Sequence, residues 1–366
     1  MTVWRGFVIV FIMASLTTCR SRCVLLLLLA VVDTAPVAAQ LLTYEGFGEY
    51  GAGVQLGSGL NGGLGWGGAY NVRSAIKPRV LIESRTTNPV NYTNGEVTIL
   101  GGNRALRFSD NANGSYAVQR PLGTTFAAAS GEVLWFSVLF RTATGGASPL
   151  ANEDLFQLGF DDNANAESGI PRVSIGASNA SDTFPVASQF FARGTTANQN
   201  TVFFSSLPIA AVTTYLLVAC IQPTAGVYDK VRLYVNPNTL EDPGPPSASI
   251  TLSSGLTTLS HAFIRTASLD ANDVYVLDEW RIGRDYGSVV QSLRNDLQIL
   301  APSPPGGSTT LRWPASLTGV VLEASATLAP ESWIEVPGPF TLSGAESQYT
   351  VPVGPENPRG FFRLRR

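Results

Sequence analysis

The stretch Gly46–Gly68 reads GFGEYGAGVQLGSGLNGGLGWGG, and the phosphate-cradling spacing G-x-G-x-x-G occurs in it twice, at Gly46-Gly48-Gly51 and at Gly57-Gly59-Gly62. That chemistry needs a strand ahead of the glycines and a helix straight behind them, whose N-terminal N–H groups hold the pyrophosphate. Here glycine makes up about half of the stretch, too poor in side chains to sustain a helix. No lysine follows either copy; the lysines of the chain are Lys77 and Lys230. The context excludes a nucleotide and leaves a long loop in which the backbone turns sharply and approaches its neighbours closely.

Other reactive side chains are few. His261 is the single histidine, and of Cys19, Cys23 and Cys220 only Cys220 would remain once a leader over residues 1–39 is removed, so a Cys/His zinc site cannot be assembled in the mature chain. Cys220, in YLLVACIQ, reads as a small buried core residue. The densest acidic group, DDNANAE from Asp161 to Glu167, fails as an EF-hand loop because position six is Ala166 and position twelve is Arg172; it reads as a solvated loop. His261, in LSHAFIR, reads as a strand histidine held for structural reasons.

The elements that must position these residues are strands. DKVRLYVNP alternates, with Val231, Leu233 and Val235 on one face and Lys230, Arg232, Tyr234 and Asn236 on the other. RALRFS, EVLWFSVLF, DLFQLGF, RVSIGA, TVFFSS, TYLLVACIQ, ASITLS, HAFIRTAS and DVYVLDEWRI are further strand candidates, separated by turn clusters such as DNANGS and TATGGASP. Regular strands with hardly a helical period predict an antiparallel sandwich. Trp135, alternating with Ser137 in its strand, reads as sheet packing.

At the N-terminus, VLLLLLAVV (Val24–Val32) is followed by small residues at Val37 and Ala39, the pattern of a signal peptide over residues 1–39. Met13 is an alternative start, with Arg20 and Arg22 as the charged region ahead of the apolar run. Cleavage would leave Cys220 as the only sulfur-bearing residue, so no intrachain disulfide is expected. The product would be secreted or held at the cell envelope, with no membrane contact of its own. The stretch APSPPGGS (301–308) predicts a Pro/Gly linker between a domain over 41–295 and a small β module over 309–366. The chain carries 24 basic and 27 acidic residues for a net charge of −3, and the basic ones are scattered rather than gathered in sequence, which argues against a nucleic-acid partner.

With LLTYEGFGEYGAG and NGGLGWGG early, TYLLVACIQPTAGVYDKVRLYVNP in the middle and VYVLDEWRIGRDYGSVV late, residues 41–290 resemble the concanavalin A-like, laminin-G-type jelly roll of secreted bacterial proteins. The tail from Trp313 is similar to a small C-terminal β-sandwich module of such proteins. The resemblance implies an all-β antiparallel jelly roll followed by a small sandwich, in a superfamily of lectins, adhesion modules, hydrolases and lyases. A glycosidase on this fold would present E-x-D-x-x-E, with carboxylates about 5 Å apart, and no such match occurs. Lyase signatures around a Tyr or His base are missing too. The expected function is non-catalytic binding of a polysaccharide or cell-surface glycan; a structural or adhesion spacer and a polysaccharide hydrolase or lyase are the alternatives. Trp66, with Tyr70 and Asn71 just beyond it, is the candidate stacking platform for a sugar, against the alternative that Trp66 plugs the end of the sandwich. In DVYVLDEWRI, alternation puts Val274, Val276, Asp278, Trp280 and Ile282 on one face, leaving a carboxylate among apolar groups. Related jelly rolls place a structural Ca²⁺ where the last strand meets the first, which implies Asp278 and Glu45 as its ligands; backbone N–H donors are the alternative partners for Asp278.

Overall fold

The computed structural model describes residues 41–366 apart from 77–78, 110–113, 143–154, 163–171, 179–188, 197–199, 253, 270–273, 292–297, 301–307, 315–319, 328–331, 344–345, 353–360 and 366. The signal-peptide expectation over 1–39 lies outside the described residues. No helix among them is long and apolar enough to cross a membrane.

Seventeen strands form the larger part. They are β1 (Leu41–Glu45), β2 (Asn71–Ile76), β3 (Arg79–Ser84), β4 (Tyr92–Asn94), β5 (Val97–Ile99), β6 (Arg104–Ser109), β7 (Gly114–Ala127), β8 (Leu134–Thr142) and β9 (Leu155–Asp161). β10 (Arg172–Ser178), β11 (Gln189–Thr195), β12 (Asn200–Pro208), β13 (Thr214–Thr224), β14 (Val227–Val235), β15 (Ala248–Thr251), β16 (Thr258–Leu269) and β17 (Tyr275–Gly283) follow. An eight-stranded sheet runs β15-β14-β13-β8-β17-β6-β3, with β1 also paired to β17; a seven-stranded sheet runs β12-β11-β10-β9-β16-β7-β2. All their pairings are antiparallel, and the non-sequential order is that of a jelly roll.

The core lies between the two sheets because alternate residues of each strand are apolar. Phe156, Leu158 and Phe160 of β9, Val173 and Ile175 of β10 and Ala262 and Ile264 of β16 meet Phe136, Val138 and Phe140 of β8 and Leu217 and Ala219 of β13. A second, smaller core covers the outer face of the eight-stranded sheet. There the β4–β5 hairpin and the short helix α1 (Tyr286–Val290) bury Leu216, Val218, Cys220 and Val276. Cys220 is fully buried and its thiol is pushed up to about 12 by burial, as expected of a core residue. Trp135 stacks on Tyr234 at 5.8 Å on that same outer face, the packing role its alternation predicts.

The expected alternation of β17 fails at one place. Glu279 has φ +54, and the register with β8 jumps between Asp278 and Arg281, so a β-bulge inserts a residue and reverses the faces beyond it. Trp280 and Ile282 enter the main core with Tyr275 and Leu277, whereas Val276 belongs to the outer core. Asp278 therefore does not share a face with Trp280 and Ile282, because a bulge leaves no mark in a hydropathy pattern.

The small C-terminal part has a four-stranded sheet, β18-β19-β23-β22, and a three-stranded sheet, β21-β20-β24. Its strands are β18 (Gln298–Leu300), β19 (Ser308–Pro314), β20 (Val321–Ser325), β21 (Ile334–Glu335), β22 (Thr341–Ser343), β23 (Glu346–Pro352) and β24 (Phe361–Arg365). Leu311, Trp313, Leu322 and Val336 make its core. β18 pairs antiparallel with β19, so this part takes its first strand from ahead of the Pro/Gly stretch, most of which lies outside the described residues.

Candidate functional site

The glycine-rich segment crosses one end of the sandwich and is fastened there by a buried ion pair. Glu45 at the end of β1 and Arg120 in β7 meet at 2.8 Å, each side chain 1% exposed. The Glu45 carboxylate also accepts from the Phe47 N–H at 2.9 Å, the Tyr50 hydroxyl at 3.0 Å and the Tyr70 hydroxyl at 3.3 Å. Arg120 donates to the carbonyls of Gly68 and Gly62 at 2.8 and 2.6 Å and to the Asn61 Oδ1 at 3.0 Å. Its guanidinium lies 4.5 Å from the Trp66 ring centroid and 4.6 Å from that of Tyr70. Burial pushes the Glu45 carboxyl up from its ordinary value, against the pull of Arg120 and the three hydrogen bonds. Gly65 has φ +75, and a Cβ there would run into the Leu42 carbonyl, so only glycine lets this segment lie so close to β1.

This arrangement places the residues proposed for sugar stacking. Trp66 is half-buried, its indole donating to the Tyr44 carbonyl at 3.2 Å and its ring 5.1 Å from Trp280, edge to face. Tyr70 is buried with its hydroxyl committed to Glu45. These two are parts of the plug. Asn71 is exposed and belongs elsewhere, opposite Gln119 in the β2–β7 ladder.

Glu45 and Asp278 do not meet either. In the β1–β17 ladder Glu45 pairs with Trp280, on the core side, while Asp278 precedes the bulge that separates it from that face. Asp278 is completely buried and accepts backbone N–H bonds from Gly102 at 3.1 Å and Glu279 at 2.8 Å. The neighbouring Glu279 takes the Tyr44 hydroxyl at 2.7 Å and the Arg281 guanidinium at 2.5 Å. The place where the first and last strands meet is thus served by an arginine and by backbone donors. Glu45 and Asp278 thus each have partners of their own, and the described residues contain no group of three or more His, Cys, Asp or Glu side chains that could hold a metal ion. Burial and the adjacent Glu279 charge hold the Asp278 carboxyl well above the usual aspartate range.

The seven-stranded sheet turns a different surface outward. Residues between the core-facing positions of its strands point away from the sandwich, and they carry charge. Gln119, Phe263, Gly159, Ser174 and Arg193 form one continuous row across five strands. In the next row Arg265 pairs with Gln157, and on the other side His261 pairs with Asp161 and Arg172 with Thr195. Gln119 ties the face together, accepting from Arg73 and donating to Asp161 Oδ1 at 2.7 Å, while Gln157 donates to Ser174 Oγ at 2.6 Å. A Cβ on Gly159 would come within 2.8 Å of the Phe263 ring, so this ring lies over the glycine, and Arg172 stands 5.4 Å from the ring centroid.

Four arginines, Arg73, Arg172, Arg193 and Arg265, thus share one sheet face although they are scattered in sequence. Burial, together with the like charges of Arg265 and Arg172, pushes Arg193 down to about 10. Burial and the Arg73 charge press His261 below its ordinary value against the opposing pull of Asp162, so at neutral pH its ring is uncharged. Ser260 Oγ lies 2.8 Å from its Nδ1. Gln119, Gln157, Ser174 and Asp161 are buried in this face, so what it turns outward is the half-buried side chains of Arg73, Arg193 and Arg265, whose guanidinium forks suit carboxylate or sulfate groups. Sequence reading passed over these arginines. The signal is the alternation of RVSIGA, which sets Arg172 and Ser174 opposite Val173 and Ile175, and of HAFIRTAS, which puts His261 and Arg265 on one face; Asp161, expected in a loop, ends a strand and is buried.

Fold and face together define the class: an all-β, antiparallel jelly-roll sandwich with an arginine-bearing sheet face. No protein-family model matches the chain, and no curated protein matches it. Solved structures similar to it include the globular domain of T. cruzi calreticulin, at 11% identity and a TM-score of 0.34 over 58% of this chain and 86% of that one. Lectin II from Ulex europaeus is similar at 7% identity and a TM-score of 0.33, over 53% and 92% of the two chains. The endo-β-1,4-glucuronan lyase of the fungus Trichoderma reesei is similar at 14% identity and a TM-score of 0.34, over 65% and 98%. These are likenesses of fold alone.

Proposed function

We propose that this is an exported protein that binds an acidic polysaccharide across the outer face of its seven-stranded sheet. The observation that carries the proposal is the gathering of Arg73, Arg172, Arg193 and Arg265 on one face. A ladder spacing of about 4.8 Å between strands presents these guanidinium groups as a series that an extended polyanion can cross. Asn71 and His261 supply neutral polar groups beside the arginines for hydroxyl contacts. The test is equilibrium binding of alginate to the full chain and to Arg193→Gln and Arg265→Gln. Each substitution should weaken binding at least tenfold and reduce its salt dependence. Undiminished binding by both variants would rule out this face.

One observation favours a second reading, a lyase. His261 is uncharged at neutral pH and stands among Arg73, Gln119 and Asp161. A neutral imidazole there would take the C5 proton α to a uronate carboxylate while arginine takes up the charge on the carboxylate; the electron pair left on C5 forms the C4=C5 double bond as the C4–O bond breaks, and the leaving glycosidic oxygen takes a proton from water. Appearance of unsaturated uronate ends from alginate, lost in His261→Gln, would establish it; their absence leaves binding alone.

A further inference from the structure

We infer that the outer face of the eight-stranded sheet carries a second site for an acidic oligosaccharide, with Trp135 as its platform and Lys230 and Arg232 as its cations. The inference uses none of the residues of the binding reading above and rests on that reading only for the choice of a uronate as probe. Register builds the site. Trp135 of β8 stands opposite Cys220 of β13, Cys220 opposite Arg232 of β14, and Arg232 opposite Ser249 of β15, so these four share a face. Cys220 belongs to the outer core, which fixes that face as the outer one. In the row beside it Gln222 stands opposite Lys230, and Lys230 opposite Thr251.

Helix α1 covers only part of this face. It sits over Ser137, whose hydroxyl donates to the Val289 carbonyl at 2.6 Å, two residues along β8 from Trp135. At Trp135 the cover ends: Tyr234 stacks on the indole at 5.8 Å and Tyr286 packs edge to face at 5.5 Å. Both tyrosines are buried while Trp135 is half-buried, so the indole is held in place with part of its surface open. Gln222, Lys230, Arg232 and Ser249 are half-buried and Thr251 is exposed. Lys230 and Arg232 both act on the Cys220 thiol between Trp135 and Arg232, and Arg232 also hydrogen-bonds the Tyr234 hydroxyl. Among the described residues neither cation forms an ion pair, and Asp229 and Asp242, the acids nearest in the chain, form none. Charge complementarity thus commits the face to an anion, and the half-open indole to an anion with a ring that stacks. Trp135 and Arg232 are two strand spacings apart, about 10 Å, roughly the length of a disaccharide. One sugar on the indole therefore brings the carboxylate of the next to the cations, with Gln222 and Ser249 beside them for hydroxyls.

The experiment measures binding of an alginate tetrasaccharide by titration calorimetry to the full chain and to the double variant Arg193→Gln/Arg265→Gln. Arg232→Gln and Trp135→Ala are then each added to the double variant, with thermal melting of every protein as a check on folding. The double variant should keep a weaker binding event, which each added substitution lowers about fivefold or more, and a neutral mannose tetrasaccharide should not bind. Binding that survives the double variant undiminished but falls with Arg232→Gln upholds this inference and overturns the first reading. A retained event that Arg232→Gln leaves unchanged in a folded protein, or no retained event at all, overturns the inference and leaves the first reading standing. Equal binding of the neutral tetrasaccharide by the double variant overturns the inference too. Failure of the full chain to bind the alginate tetrasaccharide overturns both.

Discussion

Arg172 holds its guanidinium 5.4 Å from the centre of the Phe263 ring, and that ring lies across the bare backbone of Gly159. Three adjacent strands thereby set one cation in place on the outer sheet face: β9 gives the space, β16 the ring and β10 the charge. Phe263→Leu keeps an apolar side chain and removes the π face, which at a partly buried site contributes about 1 kcal/mol. Alginate affinity should fall threefold to tenfold with little change in melting temperature. A variant that binds as the wild type does would show that the ring does not position the arginine.

The Glu45–Arg120 pair is a stability element. Removing one partner of a buried pair strands the other charge and costs about 3–5 kcal/mol. Glu45→Gln and Arg120→Leu should each lower the urea midpoint sharply, and the two losses should be strongly non-additive in the double variant. Trp66→Ala, which strips one face from Arg120, should also destabilise while leaving alginate binding intact. Loss of binding without loss of stability would return Trp66 to the ligand site.

Asp278 makes stability depend on pH. Its carboxyl titrates in the fold above the ordinary 3.8, because burial and the Glu279 charge disfavour the carboxylate. Between those two values the folded chain keeps a proton that the unfolded chain has lost, so this contribution is complete below about 3.8 and disappears as pH rises through the folded value. Asp278→Asn should flatten the fall in melting temperature over that interval, and chelator should not change the wild-type melting temperature. A wild type and variant with parallel pH profiles, or a melting temperature that tracks added Ca²⁺, would contradict this.

His261 should tune binding in the opposite sense from a simple loss of charge on the ligand. Its ring is uncharged at pH 7 and gains a proton only below its lowered value, adding a cation to the arginine face. Alginate affinity should therefore rise on mild acidification in the wild type, and rise less in His261→Gln. Measurement between pH 7 and 5 by titration calorimetry checks it.

The fold was legible because most strands alternate or run apolar: DKVRLYVNP became β14 with Val231 and Leu233 on the core face as expected, and TYLLVACIQ became β13. β7 was not legible, since Arg120, Pro121 and Gly123 interrupt it, and it holds only through pairing on both sides to β16 and β2. β11 escaped because two adjacent phenylalanines, Phe190 and Phe191, pack on opposite faces of the sheet and hide its period. The candidate site was hidden for a related reason. Its arginines come from four strands far apart in sequence, and only the order β11-β10-β9-β16-β7-β2 brings them to one face. Asn71 alone was picked out in advance, through a loop to which it turned out not to belong.

The most direct measurement of the central claim compares alginate with the same polymer after its carboxyl groups are reduced to alcohols, so that backbone, length and hydroxyls persist and only the charge is lost. Recognition by the arginine face predicts that the full chain binds alginate, that raising salt weakens this binding, and that the carboxyl-reduced polymer binds at least a hundredfold more weakly, or about 2.7 kcal/mol. Equal binding of the two polymers, or binding that salt does not weaken, would contradict it.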